Sequence, residues 1–185
     1  MFFPDRIKNI SPTDKVLEIG TGASPYPRSD VFLDKSFDEH EAYKQCGEQE
    51  HVQYVKPIYY YDGKTFPFQE NEFDYIICSH VLEHVSSEHI HHFISELQRV
   101  AKKGYIETPR VFYEYLFNFS VHEWMLNYRN QELVLMSKKE FDFSNINDAY
   151  YIMFQHGVVK TQNSLIADCI DFFYVRIRMG KSHSI

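Results

Sequence analysis

Short runs of apolar residues alternate with polar segments along the first two thirds of the chain, and five of these runs have the length of a buried strand. They span Lys15–Ile19, Val31–Asp34, about His51–Tyr61, Phe73–Ser79 and Gly104–Thr108. The third run is the poorest, because Pro57 interrupts it and proline cannot donate to a sheet ladder. The pattern therefore predicts a succession of strands, most of them buried.

A helix is predicted between the fourth and fifth runs. Its apolar residues recur at helical spacing, at Ile90, Phe93, Ile94, Leu97, Val100 and Ala101. Ser86 or Ser87 is expected to cap its start, with Glu88 in the first turn, where the helix dipole favours a carboxylate. The last turn is expected at Lys102–Lys103, and Gly104 is expected to stop the helix.

Strands that alternate with helices of this length pair in parallel through right-handed crossovers. The sequence thus predicts an α/β fold with an open, mostly parallel sheet and helices on both faces. In the last third, Trp124–Tyr128 and Leu133–Met136 predict an antiparallel hairpin, and Ile170–Arg178 alternates as an edge strand does. Antiparallel strands at the C-terminal end fit one mixed sheet, and a single domain over residues 1–185, better than two domains.

The composition narrows the class of protein. Lys and Arg number 19 against 26 Asp and Glu, a formal net charge of −7, which argues against a nucleic-acid partner. No segment approaches the roughly 18 apolar residues of a membrane helix, and the N-terminal residues are charged too soon for a secretory segment. Cys46, Cys78 and Cys169 are odd in number and far apart, which argues against disulfides and a zinc knuckle. We expect a soluble, reduced, cytoplasmic protein.

Polar residues follow four of the predicted strands at the point where each one ends. They are Glu18, Gly20, Thr21 and Gly22 at the first, Asp34 at the second, Asp62 and Gly63 at the third, and Ser79 and His80 at the fourth. Open α/β sheets bind ligands beyond the carboxyl ends of their strands, near the point where strand order reverses. We therefore expect a nucleotide-like ligand at this edge.

The spacing discriminates between two such ligands. A nicotinamide dinucleotide needs a third glycine where Pro25 stands, and an acidic partner about 20 residues on, whereas Asp34 lies much closer to the turn. Glu18 would repel a pyrophosphate but suits an ammonium or sulfonium group. A cationic sulfonium cofactor, S-adenosylmethionine, therefore fits better than NAD(P).

At this point the sequence resembles a known family. KVLEIGTGASP, VFLDKS, YYDGKTFPFQENEFDYIICSHVLEHV and ELQRVAKKGYIETPR are similar to the class I, Rossmann-like, S-adenosylmethionine-dependent methyltransferases. The resemblance covers about Asp14–Pro109. It implies a cofactor-binding half at residues 14–109 and an acceptor-side, sheet-completing segment at 110–185. One departure is the loop Ser24–Arg28, where the family usually has a small residue and a helix.

The resemblance also implies roles for individual residues. Glu18, Gly20, Thr21 and Gly22 would form the cofactor turn. Asp34 would accept the ribose hydroxyls, and Asp62 with Gly63 would line the adenine edge. Ser79 and His80 would flank the methionine moiety and the transferable methyl group.

Two histidines are candidate bases, because imidazole titrates near neutrality and can take a proton from a hydroxyl. They are His80, by its position after the fourth strand, and His122, which precedes the hairpin; a purely structural role remains the alternative for each. His84 is expected to be structural. The spacings His80/His84 and His89/His92 permit metal ligation, but no Cys or carboxylate set completes a site, so no metal is predicted.

The function predicted from the sequence is S-adenosylmethionine-dependent methyl transfer, as O-methylation of a small molecule or of a sugar or glycan hydroxyl. Two alternatives stay open: a catalytically silent S-adenosylmethionine-binding regulatory subunit, and an NAD(P)-dependent reductase. The aromatic residues of 112–119 have helical spacing and are expected to pack in the core rather than form an acceptor site. Residues 141–171 are expected to form a lid or plain packing, and no oligomeric state is predicted.

Overall fold

The computed structural model describes residues 3–22, 24–36, 56–130 and 132–140, together with the backbone of residues 174–179. The strands are β1 Val16–Ile19, β2 Val31–Lys35, β3 Ile58–Tyr61, β4 Tyr75–Ser79, β5 Gly104–Pro109, β6 Trp124–Arg129, β7 Glu132–Ser137 and β8 Tyr174–Met179. The described α-helices are α1 Ile90–Val100 and α2 Val111–Phe117.

Within the described residues the main sheet has six strands, in the order β3-β2-β1-β4-β5-β8. The pairs from β3 to β5 are parallel, and β8 closes the edge as an antiparallel neighbour of β5. Strand β1 pairs with both β2 and β4, so the strand order reverses there. This is the predicted open, mostly parallel α/β sheet, with an antiparallel strand at its C-terminal end.

The hairpin differs from the prediction of one mixed sheet. Strands β6 and β7 are antiparallel as expected, but they form a separate two-stranded sheet, while β8 alone joins the main one. A single bridge, from Arg110 to Leu126, links the hairpin to the chain that follows β5. The predicted lid-or-packing segment at 141–171 lies outside the described residues.

The predicted start of α1 is wrong. The N-cap is His89, not Ser86 or Ser87, and no side chain caps it. The carbonyl oxygen of Ser86 instead accepts hydrogen bonds from the amides of His89 and Ile90 (both 3.0 Å), so a separate turn precedes the helix. In the part of the chain that the structure describes, no helix combines the length and apolar character needed to cross a bilayer.

The predicted end of α1 is also wrong, because the helix stops at Val100. Ala101 is already extended and forms a parallel bridge with Phe73, which draws the chain toward the sheet. Gly104 is the first residue of β5 rather than a helix stop. A Cβ on Gly104 would lie 2.4 Å from Cγ2 of Ile76 and 2.7 Å from its carbonyl oxygen, so the contact between β4 and β5 requires glycine there.

The sheet is packed on both faces, because alternate residues of the buried strands point to opposite sides. One face carries the larger core, where α1 contributes Phe93 and Leu97. The rings of Phe66 and Phe93 meet edge to face with centroids 5.4 Å apart. The other face carries a smaller cluster: Ile7, Val16, Tyr75, Ile77 and Tyr105. Full burial of each such aliphatic or aromatic side chain contributes about 1.5–3 kcal/mol to the stability of the fold. This packing holds in place the strands that carry the polar residues.

Candidate active site

The turn after β1 allows a close approach to its backbone. Gly20 and Gly22 have φ values of +66° and +51°, which glycine adopts without strain. A Cβ on Gly20 would lie 2.4 Å from Cγ2 of Val81, so the turn packs directly on the segment after β4. A Cβ on Gly22 would meet no atom of the described residues within 4 Å, and Thr21 between them is buried. Open space therefore lies beside the Gly22 backbone.

Glu18 is buried next to this glycine turn, with 1% of its surface exposed. Its Oε2 accepts a hydrogen bond from the amide of Tyr26 (2.9 Å), so the carboxylate holds the loop that follows the turn. The described part of that loop consists of turns and bends, as Pro25 and Pro27 predict. Burial raises the pKa of Glu18, because desolvation outweighs the hydrogen bonds that favour its charged form.

Arg28 anchors the C-terminal end of the same loop. Its guanidinium donates to the carbonyl oxygens of Pro12 (2.8 Å) and Asp14 (2.6 Å) and pairs with Asp30 (2.9 Å). This role was not predictable from sequence pattern, because the fold brings the acceptors from a separate segment. The loop beside the glycine turn is thus held by side chains rather than by a helix.

Asp34 lies in β2, next to the carboxyl end of β1. Its Oδ1 accepts a hydrogen bond from the amide of Lys35 (2.8 Å), which orients the carboxylate. Burial raises the pKa of Asp34, and that one backbone hydrogen bond opposes the shift. Asp34 is therefore a second carboxylate at this edge, half-buried, whose charged form is disfavoured by desolvation.

Asp62 and Gly63 follow β3 as an exposed turn. Oδ1 of Asp62 accepts from the amide of Lys64 (3.0 Å), which is an Asx turn, and Gly63 has φ +84°. A Cβ on Gly63 would lie 3.2 Å from Cε of Lys35, so the lysine stem covers this glycine. The turn stands at the same edge of the sheet as Asp34, because β3 pairs in parallel with β2.

Ser79 and His80 end β4 on the other side of β1. His80 has φ +57°, a left-handed conformation that is uncommon outside glycine, and its amide donates to the Glu107 carbonyl (2.9 Å). Its ring contacts two carboxylates: Nδ1 lies 3.2 Å from Oε1 of Glu83, and Nε2 lies 3.2 Å from Oε1 of Glu107. Burial alone would lower the pKa of His80, but hydrogen bonds with these carboxylates outweigh it and raise that pKa.

Glu83 and Glu107 are fully buried, and reasoning from the sequence did not single them out. Oε2 of Glu83 accepts from the hydroxyl of Thr108 (3.0 Å), and Glu107 accepts from the Tyr105 hydroxyl. Burial would raise the pKa of Glu83, but the hydrogen bond and charge of His80 reverse the effect and lower it to about 2. Glu83 is therefore held in its ionised form.

His122 stands opposite this group, in the turn before β6. Its Nδ1 donates to Oε1 of Glu114, whose Oε2 accepts from Nζ of Lys138 at 2.8 Å. The rings of His84 and His122 meet edge to face with centroids 4.7 Å apart. Glu114 was missed by the sequence analysis, although a lone carboxylate inside the aromatic stretch 112–119 is a signal for a buried polar partner.

The structure brings Glu83, His84 and His122 together, each with a ligand-capable atom within 4.8 Å of the others. No metal was predicted from the sequence, because no Cys or carboxylate set completes the histidine pairs His80/His84 and His89/His92. The turn that holds His122 packs on the segment after β4, and this non-local contact brings His122 to Glu83 and His84. His89 and His92 are engaged elsewhere, His89 with Ser86 at 2.8 Å and His92 with Thr65 at 3.3 Å.

Residues 18–106 match a family model described as a methyltransferase domain. This segment belongs to the class I, S-adenosylmethionine-dependent methyltransferases. The cofactor of this methyltransferase domain is S-adenosylmethionine. Among the described residues, the space beside Gly22 and two carboxylates whose charged forms are disfavoured by desolvation, the buried Glu18 and the half-buried Asp34, fit a cationic ligand at this edge.

The chain is also similar to solved structures. A chain of the Haloferax volcanii complex that contains the Trm112 methyltransferase activator is 12% identical, with 98% of this chain and 87% of that chain covered and a TM-score of 0.51. An S-adenosylmethionine-dependent methyltransferase of Methanosarcina mazei is 14% identical, covering 71% of this chain and 76% of its own, with a TM-score of 0.43. One of Aquifex aeolicus is 19% identical, covering 59% and 65%, with a TM-score of 0.40. No curated protein matches this methyltransferase significantly.

Proposed function

We propose that this methyltransferase transfers the methyl group of S-adenosylmethionine to a hydroxyl group of a small molecule or of a sugar, including a glycan. The observation that supports cofactor binding at the glycine turn is the pair of carboxylates beside it, the buried Glu18 and the half-buried Asp34. Burial raises the pKa of both. S-adenosylmethionine supplies an ammonium, two ribose hydroxyls and a sulfonium that carries the methyl group. These cationic and donor groups would offset the cost of the buried charges.

Each strand end has a part in the proposed cofactor site. The backbone of the glycine turn, residues 20–22, contacts the methionine portion of the cofactor. Glu18 holds the loop that follows this turn, and its carboxylate favours a positive charge nearby. Asp34 accepts the ribose hydroxyls. The turn after β3 lines the adenine edge through Asp62 and Gly63, and Ser79 with His80 flanks the methionine portion from β4.

Transfer to oxygen requires that the acceptor hydroxyl lose its proton. His122 is the better of the two base candidates in the metal-free protein. Its Nδ1 donates to Glu114, which orients the ring and leaves Nε2 to accept a proton. Both nitrogens of His80 face carboxylates, so a base role for His80 requires that one of those contacts open. Glu114 is then a positioning residue.

The acceptor class follows from charge. Glu83, Glu107 and Glu114 are buried on the acceptor side, at the segments around β4, β5 and α2. A polyanionic RNA or DNA strand would be repelled by such a site, whereas a neutral hydroxyl compound would not. A cytoplasmic location stays a prediction from the sequence.

A transfer assay with methyl-labelled S-adenosylmethionine tests the proposal. The acceptor panel contains phenols, sugars and glycans beside amines and RNA, and label in a hydroxyl acceptor is the expected result. His122→Gln is expected to lower kcat by about 10²–10⁴-fold, as the loss of a general base does. His91→Gln, on the exposed side of α1, is the matched control and is expected to leave transfer unchanged. Label that appears only in amines or RNA would contradict the proposed acceptor.

A second candidate is a silent cofactor-binding subunit. It is favoured by His80, whose two ring nitrogens are already engaged. This candidate predicts that S-adenosylhomocysteine binds while no acceptor of the panel is methylated. Transfer to any acceptor, reduced by His122→Gln, would exclude it.

A further inference from the structure

We propose that Glu83, His84 and His122 form a binding site for a divalent first-row transition-metal cation of the zinc type. One ligand-capable atom from each residue lies within 4.8 Å of the other two. Ligands of a tetrahedral zinc ion, at about 2.0–2.2 Å from the metal, are roughly 3.3 Å apart. Small side-chain rotations would therefore bring the three atoms to bonding distance.

One nitrogen of each histidine ring has a hydrogen-bond partner on the protein. Nδ1 of His84 lies 3.2 Å from the carbonyl oxygen of Val121, and Nδ1 of His122 meets the Glu114 carboxylate. In the tautomer that donates from Nδ1 to these oxygens, the lone pair of each ring is on Nε2. A metal-bound histidine commonly donates its other ring N–H to a carbonyl or carboxylate in this manner.

The carboxylate ligand is oriented in a similar way. Oε1 of Glu83 faces His80 and Oε2 accepts from Thr108 at 3.0 Å, which fixes the plane of the carboxylate. Each oxygen has a second lone pair for a cation. With 1% of its side chain exposed, Glu83 is in a low-dielectric environment where a cation is strongly attracted.

The two segments that supply the ligands are joined by their own hydrogen bonds. The amide of Glu123 donates to the carbonyl oxygen of Glu83 (2.7 Å), and the indole nitrogen of Trp124 donates to that of Val85 (2.6 Å). Because these contacts flank the ligand residues, the site does not depend on a flexible loop. Preorganisation of this kind lowers the entropy cost of cation binding.

The donor set identifies the class of cation. Two imidazoles and one carboxylate suit zinc, cobalt, iron or manganese ions, whereas magnesium and calcium prefer oxygen ligands throughout. Three protein ligands leave a coordination position open, as in catalytic rather than structural zinc sites. A cation here would occupy the nitrogen through which His122 would act as a base, so the two roles exclude each other.

The test is calorimetric titration of tag-free, EDTA-treated protein with Zn²⁺ and with Mg²⁺, followed by Co²⁺ absorption spectroscopy. One Zn²⁺ per chain with a Kd in the micromolar range or below is expected, with much weaker binding of Mg²⁺. His84→Gln and His122→Gln are each expected to weaken Zn²⁺ binding at least tenfold. His91→Gln is the control, since His91 lies on the exposed side of α1.

X-ray absorption of the zinc-loaded wild-type protein keeps the proposal testable if a variant fails to fold. Scattering from two imidazoles and at least one oxygen ligand is expected. No stoichiometric Zn²⁺ binding, or equal binding by the wild type and both histidine variants, would overturn the proposal. These readouts need no methyl donor or acceptor, so their outcome is independent of the proposed methyl transfer. If the cation also serves that reaction, EDTA will abolish transfer; if His122 is the base, transfer will survive EDTA.

Discussion

Two groups of carboxylates stand at the same edge of the sheet in opposite electrostatic states. Beside the glycine turn, desolvation raises the pKa of the buried Glu18 and of the half-buried Asp34, because it outweighs the hydrogen bonds that favour their charged forms. Beyond β4, Glu83 is buried as deeply as Glu18, yet His80 lowers its pKa to about 2. Burial alone therefore does not set the direction in which the pKa of a carboxyl group shifts, because a cationic partner can reverse it.

The difference separates carboxylates that have no cationic side chain as a hydrogen-bond partner in the described residues from a carboxylate that is paired with His80. A buried carboxylate whose charge is not favoured costs stability in the free protein and gains a partner on binding a donor-rich cofactor. An ion-paired carboxylate stabilises the free protein in its present arrangement. Substitutions to the matching amide should therefore act in opposite directions in the two groups.

The largest effect is expected from Glu83→Gln. The substitution removes one of the two carboxylate charges that His80 contacts and breaks a buried pair, so the free energy of unfolding should fall by about 3–5 kcal/mol. Urea denaturation in EDTA measures this without any contribution from metal. Glu132→Gln, an exposed residue of β7, is the control. A loss below about 1 kcal/mol would show that the pair does not stabilise the fold.

The next effect concerns cofactor affinity. Asp34→Asn should weaken binding of S-adenosylhomocysteine by about 1–3 kcal/mol, because charge-assisted hydrogen bonds to the ribose become neutral ones. Calorimetry gives the two dissociation constants. Asp5→Asn, whose side chain is 77% exposed, is the matched control. Equal affinity of wild type and Asp34→Asn would remove Asp34 from the cofactor site.

The same variant should stabilise the cofactor-free protein, because Asn removes the cost of a partly desolvated charge. The folded pKa of Asp34 lies above its unfolded value of 3.8, so the folded wild type loses stability as the pH rises between the two values. At pH 7 the full cost is present, and Asn removes it. Urea denaturation at pH 7 and near pH 4 checks the sign: the gain should shrink at the lower pH. A destabilised variant at pH 7 would contradict the comparison.

The smallest effect is expected from Asp62→Asn. This residue is exposed, and the amide oxygen of Asn can accept the hydrogen bond from Lys64 that forms the turn. The free energy of unfolding of the cofactor-free protein, measured by urea denaturation, should therefore change by no more than an ordinary surface substitution changes it, about 0.5 kcal/mol. A shift several times larger would mean that Asp62 belongs with the buried groups.

The glycine turn and the strand ends were predictable because they are local. An apolar run followed by Gly20 and Gly22 marks a strand entering a tight turn, and parallel pairing then gathers the strand ends at one edge. The acceptor-side cluster is not local. Glu107 reaches His80 only because β5 pairs beside β4, and Glu114 reaches His122 through the packing of α2. Neither pair has a fixed spacing in sequence, so pattern alone could not have joined them.

The ends of α1 show the same limit on a smaller scale. Helical periodicity identified its apolar face, but the start depended on a separate turn at Ser86 and the end on a bridge between Ala101 and Phe73. The second of these is a tertiary contact. Periodicity therefore predicted the helix but not its limits.

Calorimetric titration of the wild-type protein with S-adenosylhomocysteine tests most directly whether the edge at Glu18, Gly22 and Asp34 holds the cofactor. Saturable binding of one molecule per chain is expected, weakened in Asp34→Asn and accompanied by a rise in melting temperature. No heat and no change in melting at saturating concentration, or binding of NADH in its place, would contradict it.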